Sequence, residues 1–311
     1  MLAPGAEPAT YTEIDTGREV WRCLNAAWGC NWTVGRSSDD PWCRSCRLTR
    51  VRPDDARPDA VAAWADVERA KRRLIHQLVG LHLPIEPAPD DVHATLAFDL
   101  VHLPGWPQIT GHAAGIITID LTEADDRHRE DERRRLDEPL RTLIGHLRHE
   151  IAHFYWPRLV GSTGRVARFR DLFGDEREDY AAAMSAHYAT TVPVWDPQRS
   201  VTPYAAAHPH EDWAETFAHV LHVLDALETA LAHGLAPDVS TSLLGTGSWE
   251  RLDFEQILDA WRPIGRAVNA IADGLGSPPL YPLEPSGLVI EKLSFVHRCI
   301  LDGTQEARAL V

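Results

Sequence analysis

The chain has 311 residues, 44% of them hydrophobic and 25% charged, which suits an ordinary globular protein of one large domain, or of one large and one small. Its formal net charge of -15 with histidine neutral argues against a general affinity for nucleic acid or an anionic membrane, because both need a cationic face. No cationic start with a following apolar run stands at the N-terminus, and no stretch approaches the roughly 18–20 apolar residues that span a bilayer; the expectation is a cytoplasmic protein.

Four of the five cysteines, Cys23, Cys30, Cys43 and Cys46, lie close together near the N-terminus, and the fifth is Cys299. The segment from Trp21 to Leu48 has no long helical period, so residues 1–52 are expected to form a zinc-ribbon module of short strands and knuckles. Cys43 and Cys46 have the tight spacing of a zinc knuckle, and Cys23 and Cys30 are a looser pair. Four thiolates close a tetrahedral shell and leave no position for water, which points to a structural ion that stabilises a module too small to fold alone. A redox dithiol at Cys43 and Cys46 is the competing reading, but it lacks the strand–helix context of that chemistry. Arg22, Arg36, Arg44, Arg47, Arg50 and Arg52 make the module locally basic. Trp21, Trp28, Trp32 and Trp42 could stack on bases, or could form a core or a docking face. The acidic whole favours docking and leaves nucleic acid open only through the ribbon.

Residues 53–58 read as a linker to a second unit over 53–311. Val61, Trp64, Val67, Leu74, Leu78 and Leu81 predict a helix over 59–83, ended by Pro84, Pro87 and Pro89. Two strands follow, at 94–101 and 115–121, both apolar or β-branched and bounded by Gly or Pro. The second could be an edge strand that pairs with an extended peptide, or an interior strand. Asp125 to Arg135 is a mixed charge run, read as a solvated loop or helix start. From Leu136 onward the chain reads as almost entirely helical. The expected class is therefore α+β: a small four-cysteine zinc ribbon joined to a mainly helical domain with a small sheet.

His149-Glu150-Ile151-Ala152-His153 is the segment that carries chemistry. On a helix, residues four apart share a face, so both imidazoles can reach one ion, and Glu150 stands where a carboxylate can act as general base on an activated water. Leu143, Leu147, Ile151 and Phe154 form the opposite, apolar stripe, and Pro157 closes the helix. A catalytic zinc normally takes a third protein ligand. The helix from His210 to His222 offers Glu215 as the favoured candidate, with His219 and Glu211 as alternatives, and small residues at Ala214 and Ala218 would let two helices approach. Asp212 is the first candidate to hold a ligating histidine by its other N–H. Tyr204, His208, Tyr180, His187 and Tyr188 are candidate donors to a tetrahedral oxyanion. Cys299 reads as a buried apolar residue.

Several of these pieces together resemble the bacterial zinc-binding metallopeptidases that carry an N-terminal zinc ribbon. They are the clustered cysteines, Leu147 to Trp156, Phe173 to Arg177, Glu211 to His219 and Val289 to Leu293. The resemblance implies a gluzincin-like catalytic part, distantly similar to Mlc titration factor A, with zinc on His149, His153 and Glu215. It sets His219 four residues after Glu215, where shorter-spaced gluzincins carry a supporting aspartate. It sets Tyr204 to His208 where those relatives carry a tyrosine. The expected cofactors are two Zn2+ ions, one catalytic and one structural, and the expected substrate is a peptide or protein. A non-catalytic zinc protein that binds a protein or nucleic-acid partner through its ribbon is the alternative, and a hydrolase of non-peptide amides is a third.

Overall fold

The computed structural model describes residues 2–5, 10–86, 95–102, 110–125, 142–190, 195–235, 252–281 and 284–309, with side chains in the last helix described to residue 303. Strands β1 (Leu2–Pro4), β2 (Thr10–Glu13), β3 (Glu19–Arg22) and β4 (Thr33–Gly35) form an antiparallel meander in chain order. Cys23 leaves β3 directly into a 3-10 turn, Leu24–Trp28, that ends at Gly29 with φ 83°. A Cβ there would meet nothing, so the glycine answers to the left-handed backbone alone.

A second sheet has the order β5 (Thr49–Val51), β6 (Ala97–Val101), β8 (Ile116–Asp120), β7 (Gly111–Ala113). β5 and β8 run parallel to β6, and β7 is antiparallel to β8. The strand considered as an edge, β8, is therefore interior, and the edge beside it is β7. Burial alternates along the central strands: Phe98, Leu100, Ile117 and Ile119 are fully buried while Asp99, Val101, Ile116 and Thr118 are only partly so, and one face of the sheet thus meets the core. β5 comes from the expected N-terminal module, yet it pairs with the second sheet.

The fold is α+β, and helices make up most of the rest. α1 (Pro58–Gly80) begins with proline at its first turn, where a missing N–H costs nothing. It buries Trp64, Val67, Leu74 and Leu78, as their spacing predicts. α2 (Leu143–Trp156) starts at Thr142, whose hydroxyl accepts the N–H of Gly145 at 3.0 Å. A π-helical turn, Pro157–Gly161, continues from it. α3 (Val166–Phe173), α4 (Tyr180–Ala189), α5 (Pro209–Ala232), α6 (Phe254–Gly274) and α7 (Leu288–Ala309) follow. The charge run from Asp126 onward, the helix-ending Pro87 and Pro89, and the start of the expected 94–101 strand lie outside the described residues. Among those residues no helix is long and apolar enough to cross a membrane.

One core joins the sheet to the helices. At its centre α2 and α5 pack closely because Ala152 and Ala214 are fully buried between them, and the Trp213 indole N–H donates to the Ala152 carbonyl at 2.9 Å. Arg148 locks the arrangement from behind. Its guanidinium donates to Gln77 on α1 at 2.9 Å and to Asp225 on α5 at 2.6 Å, and Gln77 in turn donates to the Leu221 carbonyl at 2.7 Å.

Candidate metal centres

The face of α2 opposite its apolar stripe brings His149 and His153 together, with Nε2 to Nε2 at 3.2 Å. Glu211, in the first turn of α5, points Oε2 at the same place, 3.0 Å from His149 Nε2 and 3.8 Å from His153 Nε2. Two donors held by one zinc at about 2.0–2.1 Å and a near-tetrahedral angle lie about 3.3 Å apart, so this triangle has the size of a single zinc site. Glu211 Oε2 is buried and makes no well-formed hydrogen bond; the imidazole nitrogens are what it faces, and a buried anionic oxygen so placed favours a cation among them. The donor set fits zinc.

Glu215, the favoured third ligand, lies elsewhere. Its Oε1 is 2.7 Å from His149 Nδ1, the nitrogen turned away from the triangle, and its Oε2 accepts from Thr202 at 2.9 Å. A proton on Nδ1, donated to Glu215, leaves the Nε2 lone pair free for a metal. The other oxygen of Glu211 accepts from the Tyr180 hydroxyl at 2.9 Å. Burial pushes the carboxyls of Glu150, Glu211 and Glu215 up, but facing imidazoles outweigh it; Glu150 falls to about 2, and the other two lie below the usual range. Glu211 and Glu215 face the two ring nitrogens of His149 and hold it well above its ordinary value in spite of burial, so a metal binds there by displacing the Nε2 proton.

Glu150 sits beside the triangle with its Oε1 3.3 Å from His146 Nε2. The Tyr204 ring lies 5.8 Å from the His149 ring and 5.7 Å from that of His187. Burial and the nearby glutamates push its phenol far up, so it remains a donor. Thr202, which holds Glu215, also accepts the Ala205 N–H at 3.0 Å and so shapes the turn that bears Tyr204.

The remaining expectations divide differently. His208 caps α5, its Nδ1 accepting the N–H of His210 at 3.1 Å while its Nε2 lies 3.2 Å from the Glu178 carbonyl; both nitrogens serve the backbone. Asp212 pairs with the buried Lys292 of α7 instead of a histidine. Burial leaves its carboxyl up at about 6 in spite of that lysine. His219 is buried and meets the Tyr281 hydroxyl at 2.8 Å. The support that was sought from Asp212 and His219 comes from Glu215. Thr202 carried no sequence signal of its contact with Glu215, because no periodicity links its segment to α5. His146 did lie on the polar stripe of α2, one turn before Glu150.

The second cluster is Cys23, Cys30, Cys43 and Cys46, whose sulphurs all lie within 4.8 Å of one another. Cys30 Sγ is 3.8 Å from Cys43 Sγ and 3.7 Å from Cys46 Sγ. Those separations are far beyond a disulfide bond and match the edge of about 3.8 Å in a tetrahedral four-thiolate zinc shell. The N–H of Cys46 points at Cys43 Sγ at 3.5 Å, and that of Cys43 at Cys23 Sγ at 3.4 Å. The module docks on α1: Trp28 meets Trp64 edge-on at 5.9 Å, Arg52 lies 5.0 Å over both rings, and Arg72 donates to the Gly29 carbonyl at 3.2 Å. Four of its cations are matched by acids. Arg36 pairs with Glu19, Arg44 and Arg47 with Glu86, and Arg50 with Asp99.

Comparison with known proteins also points to zinc. A family model described as "putative zinc-binding metallo-peptidase" matches residues 60–299, and a zinc-ribbon domain model matches residues 1–57. Uncharacterized proteins of Mycobacterium bovis and of two strains of Mycobacterium tuberculosis are each 42% identical over 275 residues, which cover 87% of this chain and 79% of theirs. No solved structure matches.

Proposed function

Because the chain belongs to the family described as "putative zinc-binding metallo-peptidase", we propose that it hydrolyses peptide bonds at the cluster on α2 and α5. His149, His153 and Glu211 hold the metal, and Glu150 is the general base. The observation that carries this reading is the convergence of three donor atoms within 4.8 Å, one of them the buried Oε2 of Glu211, next to the carboxylate of Glu150. A zinc ion held there supplies Lewis acidity, polarising a carbonyl and bringing the pKa of water toward neutrality.

The protein's own groups do the rest. Glu150 receives the proton of the attacking water at its carboxylate and returns it to the departing amine. Glu215 orients the His149 ring through Nδ1, and Tyr180 holds the second oxygen of Glu211, so that one oxygen alone faces the imidazoles. Tyr204 is the donor best placed, next to His149, to stabilise negative charge on the substrate oxygen. A ligand set of two histidines and a glutamate is of the gluzincin type. The four cysteines hold a second, structural zinc. We assign residues 1–52 to the ribbon and 53–311 to the peptidase domain, with β5 as the strand that ties the first to the second.

Elemental analysis and digestion of a mixed peptide library test the reading. Two zincs per chain are expected, with cleavage that falls about 10^2–10^4-fold in Glu150→Gln while both zincs stay. Equal cleavage by the variant, or none by the two-zinc wild type, would refute it and favour a ribbon that binds a partner.

A further inference from the structure

The general base has a support of its own. Glu150 is buried, at 6% exposure, and so is Glu123, at 1%. His146 stands between them, with Nε2 3.3 Å from Glu150 Oε1 and Nδ1 3.9 Å from Glu123 Oε2. His146 and Glu150 are one turn apart on α2 and share its face. Glu123 comes from another element, the 3-10 turn Leu121–Ala124 that follows β8 and is capped by the Asp120 side chain accepting from Thr122 N–H at 2.9 Å. Nε2 is within hydrogen-bond reach of Glu150 and Nδ1 faces Glu123 as a longer ion pair, which links the base to the element that follows the sheet.

We propose that Glu123 and His146 form a positioning chain that fixes the Glu150 carboxylate on the metal-bearing face of α2. The catalytic consequence rests on the peptidase reading; the chain itself rests on geometry. An imidazole set between two buried carboxylates can face both of them with an N–H only when both ring nitrogens carry protons. The charge state agrees: burial disfavours the charged ring, but the two glutamates bring His146 up to about 9. A free glutamate side chain has three rotatable bonds, and a base that wanders by an ångström loses much of its rate. An ordinary helix-surface pair would need neither the burial nor a third member from the sheet.

The test uses the zinc-loaded full chain, with Glu150→Gln as the inactive reference. His146→Leu should lower kcat about 10–100-fold, with KM and zinc content within about twofold. His146→Gln keeps an N–H donor and should recover a large part of that loss. His146→Leu added to Glu150→Gln should cost nothing further. Independently of activity, nitrogen–proton NMR spectra should show two slowly exchanging His146 ring protons. The isosteric Glu123→Gln should move the Nδ1 proton and Glu150→Gln the Nε2 proton. Full activity in His146→Leu beside an inactive Glu150→Gln would overturn the proposal and leave the peptidase reading intact. A loss that follows zinc content or melting temperature and is not rescued by His146→Gln would overturn it as well. Should the wild type cleave no peptide, the peptidase reading falls, and NMR alone decides the chain: ring protons unmoved by either glutamine variant would overturn it.

Discussion

Glu211→Ala should strip the α2–α5 site of its zinc, whereas Glu215→Gln should only loosen it. The two carboxylates are one helical turn apart, but Glu211 Oε2 lies 3.0 Å from the Nε2 of His149 and Glu215 Oε1 lies 2.7 Å from its Nδ1. A carboxylate facing a cation within 4 Å at an effective dielectric of about 20 contributes about 4 kcal/mol per unit charge, or roughly a thousandfold in affinity. A partner that only orients a ligating histidine is worth about 10–100-fold, or about 1.4–2.8 kcal/mol. Dialysis against a graded series of chelator concentrations, followed by elemental analysis, separates the two, and the four-cysteine zinc serves as internal reference. Glu211 accepts from Tyr180 and faces His149, and a carboxyl held below its usual range stabilises the fold at neutral pH, so Glu211→Ala should also lower the melting temperature in excess chelator. Two zincs in Glu211→Ala, or a site that empties more readily in Glu215→Gln than in Glu211→Ala, would refute the assignment.

Arg148→Ala removes the donor to Gln77 Oε1 and one of the two cations on Asp225, which keeps Arg73, and should cost about 1–3 kcal/mol, read from urea unfolding; a loss under about 0.5 kcal/mol would show the clamp to be slack. His146 has a folded pKa of about 9, above its ordinary 6.5, so its contribution is complete below pH about 6.5 and disappears as pH rises through about 9. That amounts to about 3 kcal/mol, and His146→Gln should flatten the stability curve between those limits in urea melts taken at a series of pH values. Cys43→Ser should lose one zinc per chain by elemental analysis, lower the melting temperature and alter the fluorescence of the Trp28–Trp64 pair; an unchanged spectrum would mean that the ribbon does not depend on its metal to dock.

The buried stripe of α1, the apolar strands β6 and β8 and the helix of the two histidines were legible because each is a repeat of local geometry. The four cysteines were legible for a related reason, since thiolates that close in sequence form a tetrahedral shell over a short reach. The edge of the second sheet was not legible: β7 has only three residues, Gly111–Ala113, too few to show a period. The capping role of His208 was hidden as well, since a histidine before Pro209 carries the same signal as one that faces a site.

Sequence by itself determined that His149, Glu150 and His153 share one face, because the α-helix repeats every 3.6 residues wherever it forms. It also narrowed the third donor to the polar stripe that Glu211, Glu215 and His219 share on one helix. Which of the three meets the two Nε2 atoms was decided only by tertiary structure. The choice depends on how α5 is rotated and shifted against α2, and that is set by distant contacts: Trp213 on the Ala152 carbonyl, Arg148 on Asp225, and Lys292 on Asp212. A slide of one turn, about 5.4 Å, would bring Glu215 to the place of Glu211, and the polar stripe alone does not choose between the two registers.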